Sequence, residues 1–240
     1  MEDFEIILVN DFSKDKTLSY ITDLQKEDPR IKIINNLKNM GTLYSRSIGA
    51  LSAKGKYIFT LDNDDIFVSS DVFSTIYDIA IKDNWDIIEF TGMLNYHGSK
   101  VSLGILRDIY FSNNKPRNPL YQPKLGNYPL VFTSKGKLII NDNYIWNKCI
   151  KTSVYQKTLK LFGEKRYKRF MTIHEDLIMV ICLFNVAESF QYLKKYSVIN
   201  FYRYGSASKY SPDFKKLNIY LCDAMVDFSR DALENKKKCL

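Results

Sequence analysis

Residues 57–65 read Tyr57-Ile58-Phe59-Thr60-Leu61-Asp62-Asn63-Asp64-Asp65, an apolar run that ends in three carboxylates within four positions. The run has the β-branched and aromatic character of a short buried strand, and the Asp/Asn cluster that closes it has the chemistry of a turn. Clustered like charges repel, so the cluster needs a compensating purpose in a chain of net charge +8. Upstream, Phe4–Val9 predicts a strand ending at Asn10-Asp11, Lys14–Glu27 a helix with Leu18, Ile21 and Leu24 on one face, and Ile31–Ile34 a second strand. Thr42–Ala53 then predicts a helix presenting Leu43, Ser47, Ile48 and Leu51, with Gly55 as its stop. Downstream, Asp71–Lys82 carries Val72, Phe73, Ile76, Ile79 and Ala80 at helical spacing, and Asp86–Phe90 predicts another strand.

Strands that alternate with amphipathic helices imply right-handed βαβ units, hence an α/β fold with a mostly parallel sheet flanked by helices. Ligands of such sheets bind at the carboxyl ends of the strands, where both Asn10-Asp11 and Asp62–Asp65 fall. Residues 95–145 lose periodicity and place three prolines in 115–124, which predicts loops and short strands in a smaller mixed region. Order returns at Tyr144-Ile-Trp-Asn-Lys148, with a helix opened by Thr172-Ile-His-Glu175-Asp176-Leu177 and running through Ala187, a strand or two across Tyr192–Tyr202, and a helical tail from Asp213. The expected division is 1–94 for nucleotide binding, 95–208 for the acceptor side and the catalytic base, and 209–240 for the tail.

The 240 residues are 45% hydrophobic and 14% aromatic, enough for a real core. Cys149, Cys182, Cys222 and Cys239 lack metal-ligand spacing and the density of a disulfide framework, which fits reduced thiols and a cytoplasmic setting. The longest apolar run, Leu177–Phe184, falls short of the about 20 residues a bilayer span needs. The basic surplus admits anionic partners, but no nucleic-acid recognition motif accompanies it. The stretch LKLFGEKRYKRF (159–170) mixes basic and aromatic residues. It reads as a solvated helix or loop, or as a peripheral contact with anionic lipid or a lipid-linked acceptor on the cytoplasmic membrane face.

Each polar cluster has two readings. Asp62-Asn63-Asp64-Asp65 could be a capping turn, or Asp-x-Asp could aim two hard oxygen donors at Mg²⁺ or Mn²⁺, with Asp65 opening the next helix. Asn10-Asp11 could be a turn, or its carboxylate could accept from a nucleobase imide N–H. Thr172-Ile-His-Glu175 is a capping box. Asp176 beside it suits the helix dipole, or serves as a rigidly held general base. His174 has no second histidine at ligand spacing and reads as a neighbour.

Taken in order, EIILVNDFSKDKT (5–17), NMGTLYSRSIGALSAKGKYIFTLDNDD (39–65), YIWNKCIKTSVY (144–155), HEDLIMVICLFNVA (174–187) and FYRYGSAS (201–208) resemble family 2 glycosyltransferases with the GT-A fold. The resemblance implies transfer of a sugar from a nucleoside-diphosphate donor, most simply UDP-linked, to the hydroxyl of a glycan or lipid-linked acceptor. It implies that Asp11 meets a uracil-type base, Arg46 steadies the nucleotide, and Asp62 and Asp64 form the DxD motif, with Asp64 the metal ligand and Asp62 nearer the ribose. It implies that Asp176, in a Glu175-Asp176 pair, is the base, and that Arg203 and Ser206 close near the donor phosphates. Trp146 and Lys148 resemble an acceptor-side motif and are read as structural.

One metal and one base suffice for direct displacement, so inversion at the anomeric carbon is expected. Family members usually carry a first strand and helix, roughly thirty residues, ahead of the strand matching FEIILV. Their absence leads us to expect an N-terminally truncated chain, which leaves a nucleotide-sugar-binding protein without turnover as the alternative. A haloacid-dehalogenase-type phosphotransferase is a further alternative. It fits less well, because its DxD follows the first strand rather than the third.

Overall fold

The computed structural model describes residues 3–96, 99–102, 131–132, 138–139, 144–171 and 175–202. These fold into two compact units, each discontinuous in sequence. One holds the chain up to Ile58 together with Thr152–Leu183; the other holds Phe59–Lys151 and Phe184–Ser206.

In the first unit, β1 (Ile6–Asn10) and β2 (Ile31–Asn35) pair in parallel, Ile6 opposite Ile31 and Asn10 opposite Asn35. Helix α1 (Thr17–Glu27) connects them, as its apolar stripe predicts, although Leu18, Ile21 and Leu24 are only half-buried. Helix α2 (Thr42–Ser52) packs on β1 through small residues. Gly49 faces the Val9 side chain so closely that an added Cβ would sit 3.3 Å from it. Leu43, Ser45, Ser47 and Ala50 are buried, whereas Leu51, expected inside, is exposed. A helix that approaches a strand this closely needs small side chains at the point of contact, because interiors are close-packed. Helix α4 (Thr152–Phe162) lies against α2, and its Gln156 amide donates to the carbonyls of Ala50 and Ala53 at the end of that helix. A short α5 (Glu164–Tyr167) follows.

Glu5 ties the start of β1 to the turn after α2. Its carboxylate accepts from the Lys54 and Gly55 N–H groups and from Lys32. Burial acts to raise the Glu5 pKa, but these hydrogen bonds outweigh it and hold the carboxyl below its ordinary value. A depressed folded-state pKa stabilises above the unfolded value and is lost as pH falls through the folded one. The unfolding midpoint should therefore fall between about pH 6 and about pH 3, and Glu5→Gln should flatten part of that dependence. Equal acid sensitivity of the two proteins in thermal melts sinks this assignment.

In the second unit, β3 (Tyr57–Phe59), which enters from the first unit, heads a six-stranded sheet. The other strands are β9 (Lys148–Lys151), β5 (Ile87–Tyr96), β10 (Phe190–Tyr202) and β4 (Ile66–Phe67), in that order, with β6 (Ser99–Ser102) beside β5. The sheet is mixed. The β5–β10 pair is parallel, as expected for an α/β fold, while β5 runs antiparallel to β9 and β6, and β10 antiparallel to β4. The antiparallel partners arrive from far along the chain, where local periodicity carries no pairing information. Strand β5 runs beyond the expected Phe90, and β7 (Val131–Phe132) pairs with β8 (Leu138–Ile139). Helix α3 (Val72–Lys82) packs on β5 and β9 through Val72, Ile76 and Ala80, all fully buried.

Helix α6 (Glu175–Val186) begins in the first unit and ends in the second. Its near-uniform apolarity matches its burial from Ile178 to Phe184. Cys149 and Cys182 are free and buried, and burial pushes both thiols up, which fits inert core cysteines. Cys222, Cys239, the capping-box residues Thr172 and His174, and the expected tail helix lie outside the described residues.

Candidate active site

Asp11, Arg46, Glu175 and Asp176 belong to the first unit, Asp62 and Asp64 to the second. Asp11 follows the carboxyl end of β1, and Phe12 beside it takes a positive φ of 65°. The Asp11 carboxylate collects three donors at 2.8 Å: the Asn36 amide and the Met40 N–H on Oδ1, and the Gly41 N–H on Oδ2. Asn36 is buried, and its amide also reaches Ser45 of α2. An ionised carboxylate offers about four acceptor positions, so a fourth donor such as an imide N–H fits beside these three.

Gly41 closes this loop with φ 86°, and a Cβ there would lie 2.7 Å from the Met171 carbonyl oxygen. The Leu43 N–H donates to that same oxygen at 3.3 Å. For Asn36 and Gly41 the sequence offers no site signal beyond Asn-Met-Gly directly before a helix, which marks a turn. Gly41→Ala meets both the left-handed backbone and the Met171 backbone, and should lose about 1–3 kcal/mol in chemical denaturation. An unchanged midpoint contradicts this packing.

Arg46 projects from the middle of α2. Its Nη1 donates to Glu175 Oε1 at 3.0 Å and to Asp176 Oδ1, two residues in the first turn of α6. All three side chains are mostly buried, between 10% and 17% exposed. Tyr155 of α4, 1% exposed, lies within electrostatic reach. Burial pushes its phenol up, with Arg46 acting to lower it and Asp176 to raise it. Tyr155 gave no sequence signal beyond its place on an apolar stripe.

The Asp62–Asp65 turn is held at both ends by Phe73 of α3. Phe59 meets its ring edge-on at 5.0 Å, and Phe67 lies tilted against it at 4.3 Å. The Asp65 N–H closes the turn on the Asp62 carbonyl at 3.1 Å. Contrary to the expectation from its position, Asp65 does not open a helix. It is buried ahead of strand β4, and its Oδ1 accepts from the Phe201 N–H of β10 at 3.1 Å. Asp62 and Asp64 remain half-buried.

No group of three or more His, Cys, Asp or Glu side chains arranged to hold a metal occurs among the described residues. Two carboxylates on a turn nevertheless fit Mg²⁺ or Mn²⁺. These ions keep several waters and complete their oxygen shell with substrate phosphates. Arg203 and Ser206 lie outside the described residues. Trp146 and Lys148 are buried, and the Lys148 ammonium donates to the Tyr144 carbonyl and to Asn147 Oδ1, 2.9 Å from the latter. That placement accords with their structural reading. Among the described residues no helix is long and apolar enough to cross a membrane.

The chain is 28% identical over 222 residues to a cholesterol galactosyltransferase of Borreliella burgdorferi, across 87% of this chain and 54% of that protein. It is 38% identical over 88 residues to the uncharacterized glycosyltransferase EpsJ of Bacillus subtilis, across 37% of this chain and 25% of that one. The S. aureus TarS 1–349 structure in complex with UDP-GlcNAc superposes with a TM-score of 0.61 at 16% identity, covering 96% of this chain and 62% of that one. The chain thus spans about half the length of the galactosyltransferase, and the TarS likeness places the fold in the GT-A class. The family model for glycosyl transferase family 2 matches residues 1–129, more than half of the sequence, and the chain belongs to that family.

Proposed function

We propose that the chain transfers a sugar from a nucleoside-diphosphate donor, UDP-linked by preference, to an acceptor hydroxyl with inversion. The observation that carries this is the meeting of Arg46 with Glu175 and Asp176, about 130 positions away in sequence, at the start of α6. It supports this reading because a carboxylate held in one orientation suits a general base. Asp176 accepts the proton as the acceptor O–H breaks, the new C–O bond forms, and the bond to the leaving diphosphate breaks. Asp11 takes the base, its three internal donors holding it in one orientation, and Asp62 lies nearer the ribose. Arg203 and Ser206 are assigned to the donor phosphates. Asp64, with Asp62, would hold a divalent ion, which supplies Lewis-acid relief of the charge growing on the leaving group. Arg46, which the resemblance assigns to the nucleotide, contacts Glu175 and Asp176.

The test is a donor screen. UDP-glucose, UDP-galactose, UDP-GlcNAc and GDP-mannose are added with Mn²⁺, and both thermal shift and nucleotide release are recorded. At least one donor should raise the melting temperature, and Asp64→Ala should abolish that Mn²⁺-dependent shift, since ligand stabilisation scales with occupancy. A shift that survives in Asp64→Ala removes Asp64 from the metal. A shift without nucleotide release supports binding without turnover. A product with retained anomeric configuration overturns inversion.

The acceptor is assigned to the glycan or lipid-linked class, and the surroundings of α5 support a peripheral membrane contact. Phe170 is 62% exposed, and Lys165, Lys168 and Arg169 are exposed around it, while Leu159 and Phe162 of the same stretch are buried. The relative in Borreliella burgdorferi is named for a sterol acceptor, which agrees with an acceptor at a lipid surface. Equal co-sedimentation with neutral and anionic vesicles refutes the contact.

A further inference from the structure

We infer that Arg46 is a positioning residue for the catalytic carboxylates: its single guanidinium clamps Glu175 and Asp176 together and sets the direction from which Asp176 meets the acceptor proton. This deepens the proposed transfer reaction and rests on it.

Arg46 sits mid-helix on α2, which is braced by β1 on one side and by α4 and α5 on others, so its Cα is fixed by packing. From there Nη1 reaches both carboxylates at once. The pair also occupies the first turn of α6, where unsatisfied N–H groups favour negative charge. Among the described residues, the charged and titratable groups around Asp176 include Arg46 of α2, Glu175 of its own helix, and the buried Tyr155 phenol of α4.

The two acids have different parts. When Asp176 takes the acceptor proton it loses its charge and its strongest attraction to Arg46. Glu175, which does not take the proton, keeps the guanidinium in place. Arg46 is then still present to receive Asp176 when that proton leaves to water. Arginine suits this task because its planar fork has several N–H donors in fixed geometry; the lysine ammonium is a compact point charge whose rotatable donors set no such direction.

The experiment uses the full chain with Arg46→Gln, Arg46→Lys, Arg46→Ala and Glu175→Gln. UDP affinity is measured with Mn²⁺ by calorimetry, and UDP release from UDP-glucose, UDP-galactose and UDP-GlcNAc by rate. A clamp predicts that Arg46→Gln slows UDP release about 10- to 100-fold, of the size that supporting residues contribute, while UDP affinity stays within about twofold. Arg46→Lys should be intermediate, and added guanidinium ion should restore part of the Arg46→Ala rate. About tenfold weaker UDP binding at unchanged turnover instead makes Arg46 a nucleotide contact and overturns the clamp.

A thermal double-mutant cycle of Arg46→Ala with Asp176→Ala removes the contact from either side and reads it without any turnover. Non-additive melting shifts support it, and additive shifts overturn it. A wild-type chain that releases no UDP from any donor sinks the transfer reading itself, and the cycle still decides whether the clamp exists.

Discussion

Asp176→Asn should lower nucleotide-sugar turnover by about 10²- to 10⁴-fold, the range a positioned general base contributes, and leave the fold and the Mn²⁺-dependent UDP affinity intact. Asparagine keeps the shape of the side chain and an oxygen facing Arg46, so the contact to Nη1 survives while the proton-accepting charge is lost. Glu175 remains on the same guanidinium, so the start of α6 stays in place. Rates of UDP release and calorimetric titration with UDP check the two halves separately. Turnover within about threefold of wild type removes Asp176 from the chemistry. Loss of both turnover and the cooperative melt would show instead that Asp176 serves the fold.

Lys148→Met should destabilise the second unit by about 3–5 kcal/mol, the cost of breaking a buried ion pair by removing one member. Lys148 and Glu89 are both fully buried on adjacent strands β9 and β5, with Nζ 3.6 Å from Glu89 Oε2. That separation is Coulombic rather than a hydrogen bond, and the ammonium is held more closely by the Tyr144 carbonyl and Asn147 Oδ1. Methionine fills much of the volume but supplies none of these donors and leaves the Glu89 carboxylate in the interior. Adding Glu89→Gln to Lys148→Met should recover part of the loss, because the remaining group is then neutral. Urea unfolding of the two variants measures both effects. A loss below about 1 kcal/mol would mean that water or another group reaches Glu89 readily.

The local elements were legible because their signals are local. The stripes of α1, α2 and α3 and the β-branched runs of β1, β2 and β3 sit within a residue or three of where the structure has them. The parallel pairing of β1 with β2 follows from the helix between them. Strand partners brought from elsewhere were not legible. Nothing in Lys148–Lys151 announces that it runs antiparallel to β5, or in Ile66–Phe67 that it borders β10. Burial on α2 was half legible for the same reason. Periodicity marks a face, but the close approach of β1 at Gly49 decides that Ala50 goes inside and Leu51 outside.

The site divides along the same line. The residue types and order of Asp11, Asp62-Asn63-Asp64 and Glu175-Asp176 are properties of the sequence, and they suffice to name a family and a class of chemistry. In composition Asp65 is indistinguishable from Asp62 and Asp64. Only the backbone of β10, arriving at Phe201, takes Asp65 inward and leaves the other two on the turn. Likewise Arg46 is one basic residue on a helix until folding closes a loop of about 130 residues and lays it against Glu175 and Asp176. Periodicity and turn chemistry act over a few bonds and can be read along the chain. Charge pairing across such a loop depends on which faces the whole core brings together, and tertiary packing alone decides that.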